Sequence, residues 1–259
     1  MGWGDEIMAS GRARKAQESN PYPVVILDRH GKPRWHEAWR GNPRILHPSA
    51  IKCPHQVITD GPRARPYVDT TEPLRWKFRA GRCERGEIYL DAKERAMAPA
   101  GEYVLVQPHT KPGQPNKAWG WGNWAGLAAL LPWPLVQAGP KDWPGLPGVR
   151  RVETQTFRQA AGVIAGARMV IVPEGAMHHA AAALGVPAVV LYGGFITPEI
   201  TGYPDQCAIV DEGPQTPCGV VKTPCAHCTA AWARITPDQV AAAAIEYWGT
   251  LDARRTAAA

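Results

Sequence analysis

The residues best suited to chemistry sit where an apolar run ends in a small, charged turn. Met169-Val170-Ile171-Val172 leads into Pro173-Glu174-Gly175-Ala176-Met177-His178-His179 and then an alanine-rich stretch. A glycine at such a strand-to-helix turn lets backbone N–H groups approach an anion, and the helix N-terminus behind it adds partial positive charge, which suits a diphosphate. Glu174 is placed to accept hydrogen bonds from ribose hydroxyls, and His178 or His179 to donate to phosphate. A second turn, Gly193-Gly194, follows the next apolar run and reads as another wall of the same phosphate pocket. The loop from Pro108-His109-Thr110-Lys111 to Asn116-Lys117-Ala118-Trp119 brings two lysines, Lys111 and Lys117, suited to neutralising a phosphate leaving group. Asn116 belongs with them among the donor-site candidates.

A different chemistry is signalled further on. Cys218, Cys225 and Cys228 lie in a loop punctuated by Pro217, Gly219 and Pro224, with His227 between the last two. Such spacing binds zinc tetrahedrally if Cys207 or His227 completes the set; the alternative is reduced, buried thiols. Eleven Trp against three Phe is unusual, and several stand beside a cation, as in Arg34-Trp35, Trp39-Arg40 and Arg75-Trp76-Lys77. Such pairs stack sugars or bases near a basic surface, or serve as core and rim packing.

To position these groups the chain needs regular elements, and from Tyr103 onward the pattern supplies them. Strands are expected at Tyr103–Gln107, Pro134–Gln137, Met169–Val172 and Ala188–Tyr192, with helices at Trp124–Leu131, Thr156–Ala165 and Met177–Leu184 between them. Short apolar strands alternating with helices imply parallel βαβ units with right-handed crossovers. Thr156 with Gln159, and Thr236-Pro237 with Gln239, form capping boxes, the second opening a last helix to about Trp248 with a frayed tail after Asp252. Upstream, a helix opens at Asp5 and runs to Gln17, a strand covers Val24–Leu27, and the Pro-, Arg- and Trp-rich stretch to Pro99 shows only short strand-like pieces such as Gln56–Thr59. A boundary near Ala98 to Gly101 divides the chain into residues 1–100, an acceptor-side half, and 101–259, a nucleotide-binding half whose ligand sits at the strands' carboxyl ends.

Bulk properties set the limits. At 259 residues, 45% hydrophobic and 20% charged, the chain suits one large or two small folded domains. The richest apolar stretch, Ala180 to Leu191, is broken by Gly185 and Pro187, so no membrane span is expected. Acidic Asp5 and Glu6 near the start do not read as an export signal, and the compartment is expected to be cytoplasmic. A net charge of +6 is compatible with an anionic partner.

The block Gly166 to Gly194, with Glu174-Gly175, Met177-His178-His179, Leu184-Gly185-Val186-Pro187 and Gly193-Gly194, resembles glycosyltransferase family 9, the heptosyltransferase-like enzymes. The likeness extends to Gly4-Asp5-Glu6-Ile7-Met8, to the Lys111 and Asn116-Lys117 loop, and to the Thr236-Pro237 helix. It implies an α/β, GT-B-like fold of two Rossmann-like halves with parallel sheets, the N-terminal half abbreviated because the strand that normally precedes the Gly-Asp loop is missing. It also implies a nucleotide-diphosphate sugar as donor and Asp5 as the general base for an inverting transfer to an acceptor hydroxyl. Such a transfer needs one base, and cations or N–H groups for the departing diphosphate, so no cofactor is expected in catalysis and zinc only as a structural ion. The expected acceptor is a lipopolysaccharide-type surface glycan or hydroxymethylated DNA. The rival expectation is a non-catalytic nucleic-acid-binding protein with a zinc loop on the same scaffold.

Overall fold

Helix α1 (Trp3–Gln17) starts two residues earlier than expected, with Asp5 and Glu6 in its first turn and Arg14 and Lys15 in its last. Both charge sets oppose the helix dipole. The computed structural model describes residues 2–59, 65–72, 74–81, 83–211 and 213–258. Strands β1 (Val24–Leu27) and β2 (Gln56–Thr59) pair in parallel, Val24 opposite Gln56. Between them the chain runs through loops and short 3-10 turns. An antiparallel hairpin, β3 (Val68–Glu72) and β4 (Arg75–Phe78), and a one-turn helix α2 (Ala92–Arg95) complete the N-terminal part. Among the described residues up to 100, the regular elements are thus a two-stranded parallel sheet, a hairpin, the long helix α1 and the short α2.

The rest alternates as expected: β5 (Val104–Val106), α3 (Trp121–Leu130), β6 (Leu135–Gly139), β7 (Arg150–Glu153), α4 (Phe157–Gly166), β8 (Met169–Pro173), α5 (Ala176–Leu184) and β9 (Ala188–Tyr192). Then come α6 (Pro198–Thr201), β10 (Cys207–Val210), α7 (Ala226–Arg234) and α8 (Pro237–Ala258). The strands form one six-stranded sheet in the order β10-β9-β8-β5-β6-β7, and every pair in it is parallel. Side chains alternate across a strand, and here that alternation separates two cores. Leu105, Val170, Val172, Val190 and Tyr192 face α1, α4 and α5, whereas Val104, Val106, Met169, Ile171, Val189 and Leu191 face α3, α7 and α8. Strands covered on both faces must be apolar throughout, which is why β5, β8 and β9 read as unbroken hydrophobic runs.

Several elements lay beyond the sequence pattern. β7 and β10 are the two edges of the sheet and carry polar or half-buried residues, so neither shows a buried strand's signature. The last helix does not fray after Asp252 but continues to Ala258. Tertiary contacts hold it: Trp248 stacks on Trp133 with ring centres 4.4 Å apart, and Asp252 pairs with Arg168. A buried ion pair, Arg158 Nε to Glu94 Oε1 at 2.6 Å, ties α4 to α2, with Arg158 also donating to the Glu37 carbonyl at 2.9 Å.

Candidate functional site

In this strand order β5 and β8 are neighbours although β6, β7 and α4 lie between them in sequence, so the chain changes direction across the sheet at that point. Crevices at the carboxyl ends of strands form at such switch points. A cavity of about 480 Å³ opens there, bringing the loop after β5, the β8–α5 turn and the start of α1 to one place. Its lining includes Asp5, Lys111, Lys117, Glu174, Gly175 and His179.

Gly175 caps α5 with φ +154°, and a Cβ placed there would meet nothing within 4 Å. A side chain would be strained in that backbone conformation, and its absence leaves the first turn of α5 open to the cavity. Glu174 is buried and ion-paired with Lys117, whose ammonium lies 5.0 Å from the centre of the Phe195 ring. Burial raises the Glu174 pKa, but the Lys117 ammonium beside it outweighs burial and holds the carboxyl below its ordinary range. The two histidines divide. His178 Nδ1 accepts from the Gly175 N–H at 2.9 Å, so Nε2 carries the proton and donates to the Thr201 carbonyl at 3.0 Å. With both nitrogens engaged and the ring fully buried, His178 shapes the turn and does not line the cavity. His179 does line it, against Gly4, with Nδ1 hydrogen-bonded to the Tyr203 hydroxyl at 2.8 Å. Burial lowers both imidazoles, His179 well below its usual value, so both stay neutral.

Asp5 stands in the first turn of α1, which packs on α5 and so sets the carboxylate at the cavity. It accepts from the Gly2 N–H at 3.1 Å, from the Tyr67 hydroxyl at 2.9 Å and from Arg65 Nε at 3.1 Å, and Arg65 Nη2 lies 3.0 Å from its other oxygen. Arg65 in turn stacks 4.8 Å from the Trp76 ring. Neither Arg65 nor Tyr67 is visible as a site residue in the sequence, because they come from a hairpin region without a clear pattern. Gln107 and His109 were also missed. Both line the cavity, and Gln107 Oε1 and His109 Nε2 are buried with no protein partner among the described residues. Such atoms are costly to leave unpaired, which makes them natural contacts for a ligand.

Three sequence candidates sit elsewhere. Asn116 is buried against the 220–225 segment instead of facing the cavity. Gly193 and Gly194 lie under α7: an added Cβ would come within 2.3 Å of Trp232 at the first and 2.5 Å of His227 at the second. They are small because a helix covers them, and neither lines the cavity. Lys111 lines it and is exposed.

The thiols of Cys218, Cys225 and Cys228 lie within 4.8 Å of one another. Cys218 and Cys228 are 3.1 Å apart, and the hydrogen bond from Cys228 lowers the Cys218 thiol to about 6 while Cys228 is raised. Three converging thiols, one of them readily ionised, fit a thiophilic cation. The proposed fourth ligand is not in the group: His227 Nε2 is hydrogen-bonded to Thr216 at 3.0 Å, and Cys207 belongs to the edge strand β10.

No protein-family model and no curated protein sequence matches the chain. Solved structures do match in fold. A family 9 glycosyltransferase from Veillonella parvula superposes over 95% of this chain and 94% of its own, with a TM-score of 0.63 at 15% identity. The iron-containing dodecameric glycosyltransferase TibC from enterotoxigenic E. coli superposes over 89% of this chain and 77% of its own, with a TM-score of 0.59 at 14% identity. TibC has also been solved in complex with ADP-D-beta-D-heptose. Against E. coli ADP-heptose LPS heptosyltransferase II the match spans 71% of this chain and 56% of that one, at 18% identity and a TM-score of 0.49. The resemblance is therefore one of fold: an α/β, GT-B-like architecture shared with family 9 glycosyltransferases.

Proposed function

We propose that this protein is a glycosyltransferase of the family 9 type that moves a sugar from a nucleoside-diphosphate donor to an acceptor hydroxyl with inversion. The observation that carries the proposal is the convergence in one cavity of a carboxylate from α1, Asp5, with the Lys117–Glu174 pair and the open N-terminus of α5. Asp5 would take the acceptor proton as the acceptor oxygen bonds to the anomeric carbon. The bond to the diphosphate breaks, and Lys111, Lys117 and the α5 N–H groups meet the charge that develops there. Residues 101–259 then hold the donor and residues 1–100 present the acceptor.

The acceptor proposed is a lipopolysaccharide-type glycan or hydroxymethylated DNA. Cys218, Cys225 and Cys228 would hold a structural zinc that crosslinks their loop. No described helix is long and apolar enough to cross a membrane. The described cysteines are free thiols, which supports a reducing, cytoplasmic setting where nucleotide sugars are made.

The decisive experiment is thermal stabilisation by a panel of nucleoside diphosphates and their sugars, followed by transfer assays on both acceptor classes read by mass. Specific binding raises stability by mass action. A donor that stabilises the protein but transfers to no hydroxyl would shift the assignment to a non-catalytic nucleic-acid-binding protein on this scaffold.

A further inference from the structure

Lys117 is held in place from outside the cavity. Its neighbour Asn116 is only 5% exposed. The Asn116 Nδ2 group donates to the carbonyls of Val220 at 2.7 Å and Thr223 at 2.9 Å, and Oδ1 accepts from the Cys225 N–H at 2.9 Å. Its own carbonyl accepts from Trp232 Nε1 at 2.9 Å. Every one of these partners lies in the segment that carries the three thiols or in the helix that follows. The same segment also holds Phe195, whose ring faces the Lys117 ammonium. The Cys218 N–H donates to the Gly194 carbonyl at 2.9 Å and the Gly219 N–H to the Phe195 carbonyl at 3.2 Å, while the Phe195 ring packs 5.0 Å from the Lys117 ammonium.

We propose that Asn116 is a positioning residue and not a donor ligand: it fastens Lys117 to the cysteine loop, so that the order of that loop sets how firmly the lysine holds a diphosphate. The proposal rests on the nucleoside-diphosphate function of the cavity. A lysine is a point charge on a flexible stem, so its value to a phosphate depends on what fixes its backbone. Truncating Asn116 leaves two carbonyls and one N–H of the loop unpaired, and such buried groups recover partners only by moving towards water.

The test is a double-mutant cycle on ADP affinity, measured by calorimetry for the native protein, Asn116→Ala, Lys117→Met and the double variant. Asn116→Ala is expected to weaken ADP binding about tenfold, the scale of a small misplacement of a charged group. In the Lys117→Met background the same change is expected to cost less than about twofold, because residues acting as a unit are not additive. Labelling of the loop thiols by a disulfide reagent should also be faster in Asn116→Ala. Should that variant fail to fold, Trp232→Phe removes the indole N–H bond to Asn116 together with some packing over Gly193, and the cycle is run with it; a smaller loss, again absent without Lys117, is expected. Unchanged ADP affinity in Asn116→Ala, or a loss that is fully additive with Lys117→Met, would overturn the proposal. If the native protein binds neither ADP nor GDP nor UDP, the fault lies with the donor cavity, and thiol labelling alone then decides whether Asn116 holds the loop.

Discussion

Asp5 meets the cavity already engaged by Arg65 and the Tyr67 hydroxyl, so its orientation is fixed before any acceptor arrives. A positioned base contributes about 100-fold to 10,000-fold, and Asp5→Asn keeps the size and the bonds its one carbonyl oxygen can accept, from Tyr67 and Arg65 Nε, while removing the ability to take a proton. Turnover in steady-state assays should fall by that order with donor affinity little changed; full activity in the variant would remove Asp5 from the mechanism. The histidines separate in a different measurement. His178 spends both nitrogens inside the turn, whereas His179 borders the cavity. Replacing His178 by Ala should lower the unfolding midpoint and distort the donor site with it. Replacing His179 should weaken nucleoside-diphosphate binding by calorimetry with a smaller effect on stability. Equal losses in both would show that the ring facing the cavity has no special part.

At the scale of elements, the loop from Cys218 to Cys228 bridges β9 and the start of α7 and touches the segment that carries Lys117. If its thiols hold zinc, protein purified without added metal should contain about one zinc per chain by elemental analysis, and chelation should lower the melting temperature, since metal binding is part of the folding free energy. Transfer activity measured below that temperature should largely survive, because the proposed chemistry runs through Asp5 and the lysines. Metal-free protein of unchanged stability would leave the cluster as three reduced thiols.

For the whole molecule, pH is the informative variable. His36, His109, His178 and His179 all have native pKa values below 6.5, each mainly because burial disfavours the imidazolium. Below about pH 6.5 the unfolded chain therefore binds more protons than the native one, so their share of the stability rises with pH through that window and is fully present above it. Urea midpoints should fall from pH 8 to 6 because the unfolded chain holds the thiol proton that native Cys218, lowered to about 6, gives up, and fall further below 6.5 through the histidines, with Glu174 and Glu94 adding a loss below about 4.5 because their native carboxyls are also held low. A flat profile between pH 7 and 5 would mean that these rings are hydrated in solution.

The sequence by itself determined the parallel sheet and the β8–α5 turn. Strands buried on both faces must be apolar at every position, as β5, β8 and β9 are, and the capping pairs Thr156 with Gln159 and Thr236 with Gln239 act within a single turn. Such signals are local, and they survive without knowledge of neighbours. Tertiary structure alone decided which side chains meet. Strand order makes β5 and β8 adjacent and so brings Lys117 to Glu174 across 57 positions, and helix packing brings Asp5 beside them. The segment just before β3 that supplies Arg65 and Tyr67 has no periodic pattern to announce it. Gly193 and Gly194 look like phosphate-loop glycines until α7 is seen lying on them, and Asn116 looks like a donor ligand until its amide is found spent on the cysteine loop. A glycine or an amide reports only that something comes close, and the identity of that partner is set by distant parts of the chain.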